Sequence, residues 1–333
     1  MLRGHGDDIY NHKQEIKSNF SSNIYGKQDL TSLFAYLKSK IHLISSYPEP
    51  DAASFAQLIA EKNEVEKNTI AVTNGATEAI YLIAQTFRKN KSAIIIPTFS
   101  EYEDACAANE HSLFFYQNIE EINGTENLVW LCNPNNPTGK VYEKDELKKY
   151  ILRYPKTLFV IDQSYESLTN QSVFSMQESL VFSNLILVHS MTKQFAIPGL
   201  RLGYISAQPN VLNQLEKYKM PWSVNQMALE AGHFLLKNKI QGLNTFDYLN
   251  ETKRLREKLE KISGLQVFPT ETNFFLCQLK NKTAADLKSF LIEKGILIRD
   301  ASNFRGLDKH YFRVAAQSPE ENDQLVKFVK EWI

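Results

Sequence analysis

The sequence predicts an α/β fold, in which a large and mostly parallel sheet is followed by a smaller α+β unit. The chain has 333 residues, about twice the common domain size, which favours one large domain with a smaller one appended. Between residues 70 and 206, short β-branched runs alternate with longer helical segments, as in repeated βαβ units. After Ser223 the pattern changes to long charged helices, which indicates the second unit.

Six short apolar runs predict the strands of the large sheet. They are Ile70–Thr73, Ala93–Pro97, Leu128–Cys132, Leu158–Asp162, Leu185–His189 and Leu202–Ser206. The segments with helical character between them are Thr77–Lys89, Tyr102–Asn109 and Lys144–Tyr154. Ligands of open parallel sheets bind beyond the carboxyl ends of the strands, so the residues that follow these runs are the first candidates for a functional site.

The second unit is predicted to combine helices with a few strands. In chain order these are a helix over Asn244–Ile262, a strand over Thr272–Gln278, a helix over Thr283–Lys294, strands over Ile296–Arg299 and Tyr311–Ala315, and a final helix. Ser318, Pro319 and Glu321 form a capping box that starts the final helix, and Gly295 ends the helix before it. We therefore divide the chain into an N-terminal arm (1–30), a large domain (31–222) and a small domain (223–333).

Net charge and cysteine content exclude several classes of protein. The 38 basic and 38 acidic side chains cancel, which leaves no global field for nucleic acid or an anionic membrane. The longest apolar runs are far shorter than the roughly 18 residues that cross a bilayer, and the N-terminus lacks the apolar core of a signal peptide. The three cysteines are isolated, without a CxxC metal-binding pair. We expect a soluble cytoplasmic protein with no metal, nucleic-acid or membrane partner.

The first predicted strand is followed by a segment typical of phosphate binding. Residues 73–78 read Thr-Asn-Gly-Ala-Thr-Glu and open a helix. Glycine lets the backbone approach a ligand, and the free amides of a first helical turn attract anions. The pattern predicts a phosphate cradle at Gly75, Ala76 and Thr77, and an ordinary tight turn explains it equally well.

Polar groups also follow the third and fourth strands. Residues 133–139, Asn-Pro-Asn-Asn-Pro-Thr-Gly, form a rigid turn, but their asparagines present more amide groups than a turn needs, which favours ligand binding. Asp162 ends the fourth strand, and Tyr165 lies three residues later. A carboxylate at a buried strand end is costly unless a cation pairs with it, so Asp162 should face a positive group. A solvated loop aspartate is the alternative.

An unusual lysine follows the fifth strand. Lys193 lies beside two hydroxyl residues, Ser190 and Thr192, and Arg201 follows eight residues later in an otherwise apolar stretch. Most lysines are ordinary surface residues. Burial between apolar strands would instead lower the pKa of Lys193 and make its amine nucleophilic, as Schiff-base chemistry requires.

These residues together resemble a known family. The pattern Ser-x-Thr-Lys-x-Phe-x-x-Pro-Gly-x-Arg-x-Gly-Tyr at 190–204, preceded by the asparagine-rich turn and by Asp-x-x-Tyr, is similar to the fold type I pyridoxal-phosphate enzymes of the aspartate aminotransferase superfamily. The resemblance covers nearly the whole chain. It implies a three-layer α/β/α large domain with a smaller α+β domain, pyridoxal 5'-phosphate as the cofactor, and covalent binding of that cofactor by Lys193.

The resemblance also implies roles for the other candidate residues. Asp162 would pair with the pyridine nitrogen of the cofactor, Asn136 and Tyr165 would hydrogen-bond its phenolic oxygen, and Phe99 would stack on its ring. The cofactor phosphate would be held by the cradle at Gly75, Ala76 and Thr77, by the hydroxyls of Ser190 and Thr192, and by Arg201. Such a set suits the group, since a phosphate dianion binds helix amides and a guanidinium, and the ring nitrogen stays protonated beside an anion.

Within the superfamily, the chain resembles the histidinol-phosphate aminotransferases and the L-threonine O-3-phosphate decarboxylases of cobamide synthesis. Residues 4–10, 19–24 and 298–307 are similar to segments of the decarboxylases. Tyr47, in Tyr-Pro-Glu-Pro, matches a tyrosine that in this subgroup reaches the cofactor phosphate of a partner subunit, which implies a homodimer with shared sites. Asp7 and Asp8 depart from the decarboxylase pattern, and two acidic residues would repel a phosphorylated substrate.

From this resemblance we expect decarboxylation of L-threonine O-3-phosphate to 1-aminopropan-2-yl phosphate. Arg313 would bind the substrate carboxylate, and Arg299, His5 and Asn23 would bind a distal phosphate or close the site. An aminotransferase of the histidinol-phosphate type is the first alternative, because the two reactions differ only in which Cα bond lies perpendicular to the cofactor ring. A non-catalytic ligand-binding module is the second alternative.

Overall fold

The computed structural model describes residues 6–238 and 244–333. His5, one of the candidate substrate-binding residues, lies outside the described residues. No helix within the described ranges is long and apolar enough to span a membrane.

The strands and helices are numbered separately along the chain. The strands are β1 Ser18–Asn19, β2 Ile70–Thr73, β3 Lys91–Ile95, β4 Ser112–Tyr116, β5 Leu128–Cys132, β6 Leu158–Asp162, β7 Leu185–Ser190, β8 Gly203–Ala207, β9 Leu265–Val267, β10 Phe274–Leu279, β11 Ile296–Leu297, β12 Arg299–Asp300 and β13 Tyr311–Ala315. The helices are α1 Thr31–Lys40, α2 Ala53–Lys62, α3 Gly75–Thr86, α4 Glu101–Ala108, α5 Lys144–Arg153, α6 Met176–Ser179, α7 Met191–Gln194, α8 Pro209–Leu215, α9 Gln226–Lys237, α10 Thr245–Glu260, α11 Ala284–Glu293 and α12 Pro319–Trp332.

A seven-stranded sheet forms the centre of the large unit, in the order β2-β8-β7-β6-β5-β3-β4. Strand β8 runs antiparallel to both of its neighbours, and the other pairings are parallel. Side chains alternate between its two faces: Trp130 packs in a core with α3 and α4, whereas Val129 packs with Leu147 of α5 on the opposite face. The mostly parallel sheet and its three-layer arrangement are thus confirmed.

Several predicted boundaries differ from the structure. Strand β3 ends at Ile95 rather than at Pro97, in keeping with the absence of a backbone N–H in proline. Helix α3 begins directly at Gly75, two residues earlier than predicted. Strand β4, at the edge of the sheet, was not predicted, although residues 113–116 read Leu-Phe-Phe-Tyr; in the structure its side chains are exposed or half-buried. Helices α1 and α2 were not predicted either.

The smaller sheet has four antiparallel strands in the order β12-β13-β10-β9. The predicted strand over Ile296–Arg299 is split into β11 and β12, and only β12 joins this sheet. Arg299 of β12 lies directly opposite Arg313 of β13. The predicted capping box is confirmed, since the Ser318 side chain accepts a hydrogen bond from the Glu321 amide. This sheet therefore presents two candidate substrate-binding arginines side by side.

The N-terminal arm is fastened to the smaller unit. Strand β1 pairs in parallel with β11. The buried Phe20 donates its amide to the carbonyl of Leu297 at 2.8 Å, and its carbonyl accepts from the amide of Ala315 at 2.9 Å. The arm is extended, as expected, and these bonds fix the residues that follow Phe20. The domain boundaries at residues 30 and 222 stay predictions.

Gly203 lies where the seven-stranded sheet packs closely against the start of α3. A Cβ atom at this position would lie 2.6 Å from the His189 carbonyl oxygen and 2.8 Å from the Ala76 nitrogen. We expect Gly203→Ala to lower the free energy of unfolding by about 2 kcal/mol, because overpacking forces the backbone to shift. Urea unfolding measures this. Gly199→Ala is the control, since a Cβ there meets nothing within 4 Å; an equal effect of both substitutions would contradict the prediction.

Candidate active site

One cavity of about 240 Å³ brings most of the candidate residues together. It lies beyond the carboxyl ends of β5, β6 and β7, between the seven-stranded sheet, the arm and the smaller sheet. The predicted site residues that line it are Ala76, Thr77, Phe99, Asn136, Asp162, Tyr165, Ser190, Thr192, Lys193, Arg201, Arg299 and Arg313. The structure therefore brings these candidate residues together at the carboxyl ends of the strands, and their individual roles stay predictions.

The remaining candidates lie elsewhere. Gly75 borders the cavity through Arg201, whose terminal nitrogen would lie 2.7 Å from a Cβ at position 75. Asn23 is buried, and its amide donates to the hydroxyl of Tyr165 at 3.2 Å rather than lining the cavity. Tyr47 is 85% exposed and lies beside Trp222, away from this cavity.

The amine of Lys193 has the properties of a nucleophile. Helix α7, which carries it, follows the last residue of β7, so the chain turns sharply at the sheet edge. Its Nζ donates to the backbone carbonyl of Ser22 in the arm at 3.0 Å. Burial, with a contribution from the nearby positive charge of Arg313, lowers the pKa of Lys193 to about 8, and Asp7 opposes this change. About a tenth of the amine is therefore uncharged at pH 7, far more than in an ordinary lysine, which suits reaction with an aldehyde.

Asp162 is a buried carboxylate at the end of β6. The Tyr102 hydroxyl donates to one carboxylate oxygen at 2.8 Å, and the Ser164 amide donates to the other at 2.8 Å. Burial raises the pKa of Asp162. Among the described residues no lysine or arginine forms an ion pair with it. These features fit the ring nitrogen of pyridoxal phosphate, which supplies a cationic partner.

Tyr102 is a functional residue that the sequence analysis missed. It lies in the first turn of α4, three residues after Phe99, and its ring stacks on Trp130 at 5.8 Å between centroids. Its position three residues after a candidate ring-stacking residue was the available signal, and in the structure the two rings meet edge-on with their centroids 5.9 Å apart. Tyr102 was not recognised because a buried tyrosine hydroxyl looks the same in sequence as a core aromatic.

The start of α3 fits a phosphate group. Gly75 has a φ of 76°, and no side chain fits there without displacing the guanidinium of Arg201. Arg201 itself has a left-handed backbone, with a φ of 57°, and donates to the Pro198 carbonyl at 3.2 Å. The buried hydroxyl of Thr192 has no hydrogen-bond partner among the described residues. Free helix amides, a guanidinium and an unpaired hydroxyl together match a phosphate dianion.

Two buried arginines on neighbouring strands of the smaller sheet also line the cavity. Arg313 donates to the side-chain oxygen of Asn136 and to the carbonyl of Ser21. Arg299 donates to the side-chain oxygen of Asn303 at 2.7 Å. Burial lowers the pKa of Arg313 to about 9 and that of Arg299 to about 10. The oxygens that accept these hydrogen bonds are neutral, so no bonded carboxylate cancels the positive charge of either guanidinium group. Both arginines are therefore available to pair with an anionic ligand.

Tyr165 lines the cavity near Lys193 and Arg313. Burial raises the pKa of its hydroxyl to about 12, and Arg313 opposes this change. The Asn23 amide holds the hydroxyl, and the Tyr165 ring packs edge-on against Phe274 at 4.9 Å. Nζ of Lys193 lies 5.9 Å from the centre of the ring. Tyr165 is thus a neutral hydrogen-bonding group in a fixed orientation.

The structure separates the two acidic residues of the arm. Asp8 does not line the cavity and forms an ion pair with Lys288 at 2.7 Å. Asp7 lines the cavity and has a φ of 62°. Its carboxylate accepts a hydrogen bond from the side-chain amide of Asn19. Of the two acidic residues of the arm, only Asp7 is therefore in a position to contact a ligand in the cavity.

The low pKa of Lys193 predicts its reactivity. In the protein without cofactor, we expect labelling of Lys193 by an amine-selective reagent to rise with pH to half its maximum near pH 8, because only the uncharged amine reacts and its pKa is about 8. Peptide mass spectrometry across the neutral to alkaline range measures the rate at each lysine. The exposed Lys253 is the control. Equal pH profiles for both lysines would contradict this prediction.

Comparisons with known proteins agree with this geometry. The family model of aminotransferase class I and II matches residues 15–329. The solved structure of L-threonine-O-3-phosphate decarboxylase from Porphyromonas gingivalis is 40% identical, with a TM-score of 0.92 over 95% of this chain and 99% of that chain.

Two curated relatives represent the two reactions. A histidinol-phosphate aminotransferase from Thermoanaerobacter sp. (strain X514) is 33% identical over 86% of this chain and 84% of the relative. The threonine-phosphate decarboxylase of Salmonella typhimurium is 29% identical over 92% of this chain and 88% of the relative. Since the family model spans nearly the whole sequence, the chain belongs to the class I and II aminotransferase family.

Proposed function

We propose that this protein is a pyridoxal-phosphate-dependent enzyme that decarboxylates L-threonine O-3-phosphate to 1-aminopropan-2-yl phosphate. The observation that carries the proposal is the pair Arg299 and Arg313, two buried guanidinium groups opposite each other in one cavity with Lys193. A substrate with both a carboxylate and a phosphate provides one anion for each. Membership of an enzyme family speaks against the non-catalytic alternative.

Pyridoxal phosphate is the cofactor, and when bound it supplies a ring that accepts electrons from the substrate Cα. The described residues prepare its surroundings. Asp162, oriented by Tyr102 and Ser164, would pair with the protonated ring nitrogen, which would offset the cost of burying the carboxylate. Lys193, with its pKa lowered to about 8, is able to donate the proton that replaces the lost carboxylate at the substrate Cα near neutral pH.

The arginines would determine which bond breaks. Decarboxylation requires the bond between Cα and the carboxylate to be perpendicular to the cofactor ring, and a second strong anchor must then hold the rest of the substrate. We assign the carboxylate to Arg313, which also contacts Asn136, and the phosphate to Arg299. The decarboxylase name of the Porphyromonas and Salmonella relatives supports this assignment.

Asp7 favours the alternative, an aminotransferase of the histidinol-phosphate type. Its carboxylate lines the cavity, so it attracts a protonated imidazole and repels a second anion. The Thermoanaerobacter relative carries the name of that enzyme. The two functions make different demands on the reaction mixture, because only the aminotransferase needs an oxo-acid acceptor.

The substrate test follows from this difference. We expect the holoenzyme to release carbon dioxide and 1-aminopropan-2-yl phosphate from L-threonine O-3-phosphate without any 2-oxo acid, because the phosphate anchors the substrate while its carboxylate leaves. Coupled carbon dioxide detection and mass spectrometry measure both products, and the Lys193→Ala holoprotein is the control. Conversion of histidinol phosphate only in the presence of 2-oxoglutarate would favour the alternative.

A second copy of the chain is the proposed partner. Three exposed large apolar side chains, Ile44, Tyr47 and Trp222, line one groove on the surface. Tyr47 and Trp222 pair with ring centroids 5.5 Å apart. Exposed apolar clusters of this kind mark interaction surfaces, and we propose a homodimer in which Tyr47 reaches the cofactor phosphate of the other subunit.

The three free, buried cysteines suit a reducing compartment, and we propose the cytoplasm as the location of the protein.

Mixed dimers test the shared site. Lys193→Ala and Tyr47→Phe chains, each impaired alone, are mixed under conditions that allow subunit exchange. Each hybrid contains one site with a native lysine and a native tyrosine, so about a quarter of all sites in an equal mixture become native. We expect the activity of the mixture to exceed the mean of the separate variants. Activity equal to that mean, or a fully active monomer in sedimentation, would contradict the proposal.

A further inference from the structure

Arg305 connects the smaller unit to the large one outside the cavity. It lies on the loop between β12 and β13, residues 301–310. Its Nε donates to Glu103 of α4 at 2.8 Å, and a terminal nitrogen donates to the other carboxylate oxygen of the same residue. The guanidinium also stacks on Phe115 of β4, 4.0 Å from the ring centroid. A bidentate ion pair with a stacked ring defines both the position and the plane of a guanidinium group.

The same loop holds Arg299 inside the cavity. The side-chain oxygen of Asn303 accepts from the Arg299 guanidinium at 2.7 Å, and the ring of Phe304 lies 5.1 Å from its central carbon. Phe304 is buried and lines the cavity. Arg305 follows these two residues directly in the chain. A displacement of the loop at Arg305 would therefore be transmitted to both contacts of Arg299.

The other side of the connection is equally close to the site. Glu103 is next in sequence to Tyr102, whose hydroxyl holds Asp162 at 2.8 Å. The loop meets the large unit a second time at Gly306, which has a φ of 87° and where a Cβ would lie 3.5 Å from Ile96. The loop that orients Arg299 is thus fastened to the helix that orients Asp162.

We propose that Arg305 is a positioning residue. By fastening the loop to α4, it holds the Arg299 guanidinium in the place where the phosphate of the substrate binds. This proposal rests on the proposed function, since it takes Arg299 as the phosphate ligand. Arg305 does not itself line the cavity, so it acts through Asn303 and Phe304. The side chains of Arg305 and Glu103 are 48% and 30% exposed, and exposed ion pairs add little to global stability. The effect of losing this pair therefore falls on the phosphate site rather than on folding.

The experiment compares Arg305→Met, Arg305→Lys and Glu103→Gln in the holoenzyme. Binding of inorganic phosphate is measured by calorimetry, with the cofactor's own phosphate site already occupied, and KM and kcat are measured with L-threonine O-3-phosphate. We expect the phosphate Kd and the KM to rise about five- to tenfold in Arg305→Met, with kcat changed less than about twofold. Arg305→Lys keeps the charge but not the bidentate geometry, so its values lie between those of the wild type and Arg305→Met.

Three controls make the result specific. Arg88→Met removes another exposed ion pair, with Glu110, and we expect no change in phosphate binding. Binding of L-threonine, which has no phosphate, should be unchanged in Arg305→Met. The double variant of Arg305→Met with Glu103→Gln should bind phosphate as weakly as Arg305→Met alone, because both residues belong to one interaction.

The proposal is overturned if Arg305→Met binds inorganic phosphate as well as the wild type does, or if L-threonine binding weakens to the same extent. Since phosphate binding is measured without turnover, this result is independent of whether L-threonine O-3-phosphate is the substrate. An enzyme that rejects that substrate but loses phosphate affinity in Arg305→Met would refute the proposed function and keep the positioning role of Arg305.

Discussion

Burial of charge without direct ion pairing is the constraint on which this site depends. Asp162, Lys193, Arg299 and Arg313 share one cavity, and within the described parts of the chain none of them forms a salt bridge. Burial shifts the pKa of each group toward its neutral form. Such an arrangement costs stability unless oppositely charged ligand groups bind. The cavity is therefore suited to a ligand with several anions and one ring cation.

The fold retains these charges by holding the cations with neutral oxygens. The carbonyls of Ser21 and Ser22, in the arm, accept hydrogen bonds from Arg313 and Lys193 respectively. A carboxylate in either place would neutralise the cation and weaken its attraction for an anionic substrate. The arm can supply these carbonyls because the backbone bonds of Phe20 to the smaller unit fix its path. The arm is thus part of the binding site through its backbone.

Part of the site consists of backbone carbonyls, and this limits which of its contacts can be predicted from the sequence. Lys193 and Asp162 were predictable, because a charged residue directly after an apolar run is unusual. The carbonyls of Ser21 and Ser22 carry no side-chain pattern, so only the structure shows their role. Asn23 was expected to bind a distal phosphate or to close the site, and the sequence did not indicate that its side-chain amide donates to the hydroxyl of Tyr165. The central strands were predicted from their apolar runs, whereas the edge strand β4 was overlooked although residues 113–116 are also apolar.

Asp7 and Asp8 of the arm are negatively charged and would repel a phosphorylated substrate. The structure shows that their charges act on different groups. The charge of Asp7 acts on the amine of Lys193, whose pKa it raises, whereas the charge of Asp8 acts on Arg299. Asp8 is already paired with Lys288, so its repulsion of an anion at Arg299 is reduced. Asp7 lines the cavity, and its charge offsets part of the repulsion between Lys193 and the neighbouring cations. The ion pair between Asp8 and Lys288 therefore makes Asp8 compatible with a phosphate held at Arg299, whereas Asp7 remains the residue that favours the histidinol-phosphate alternative.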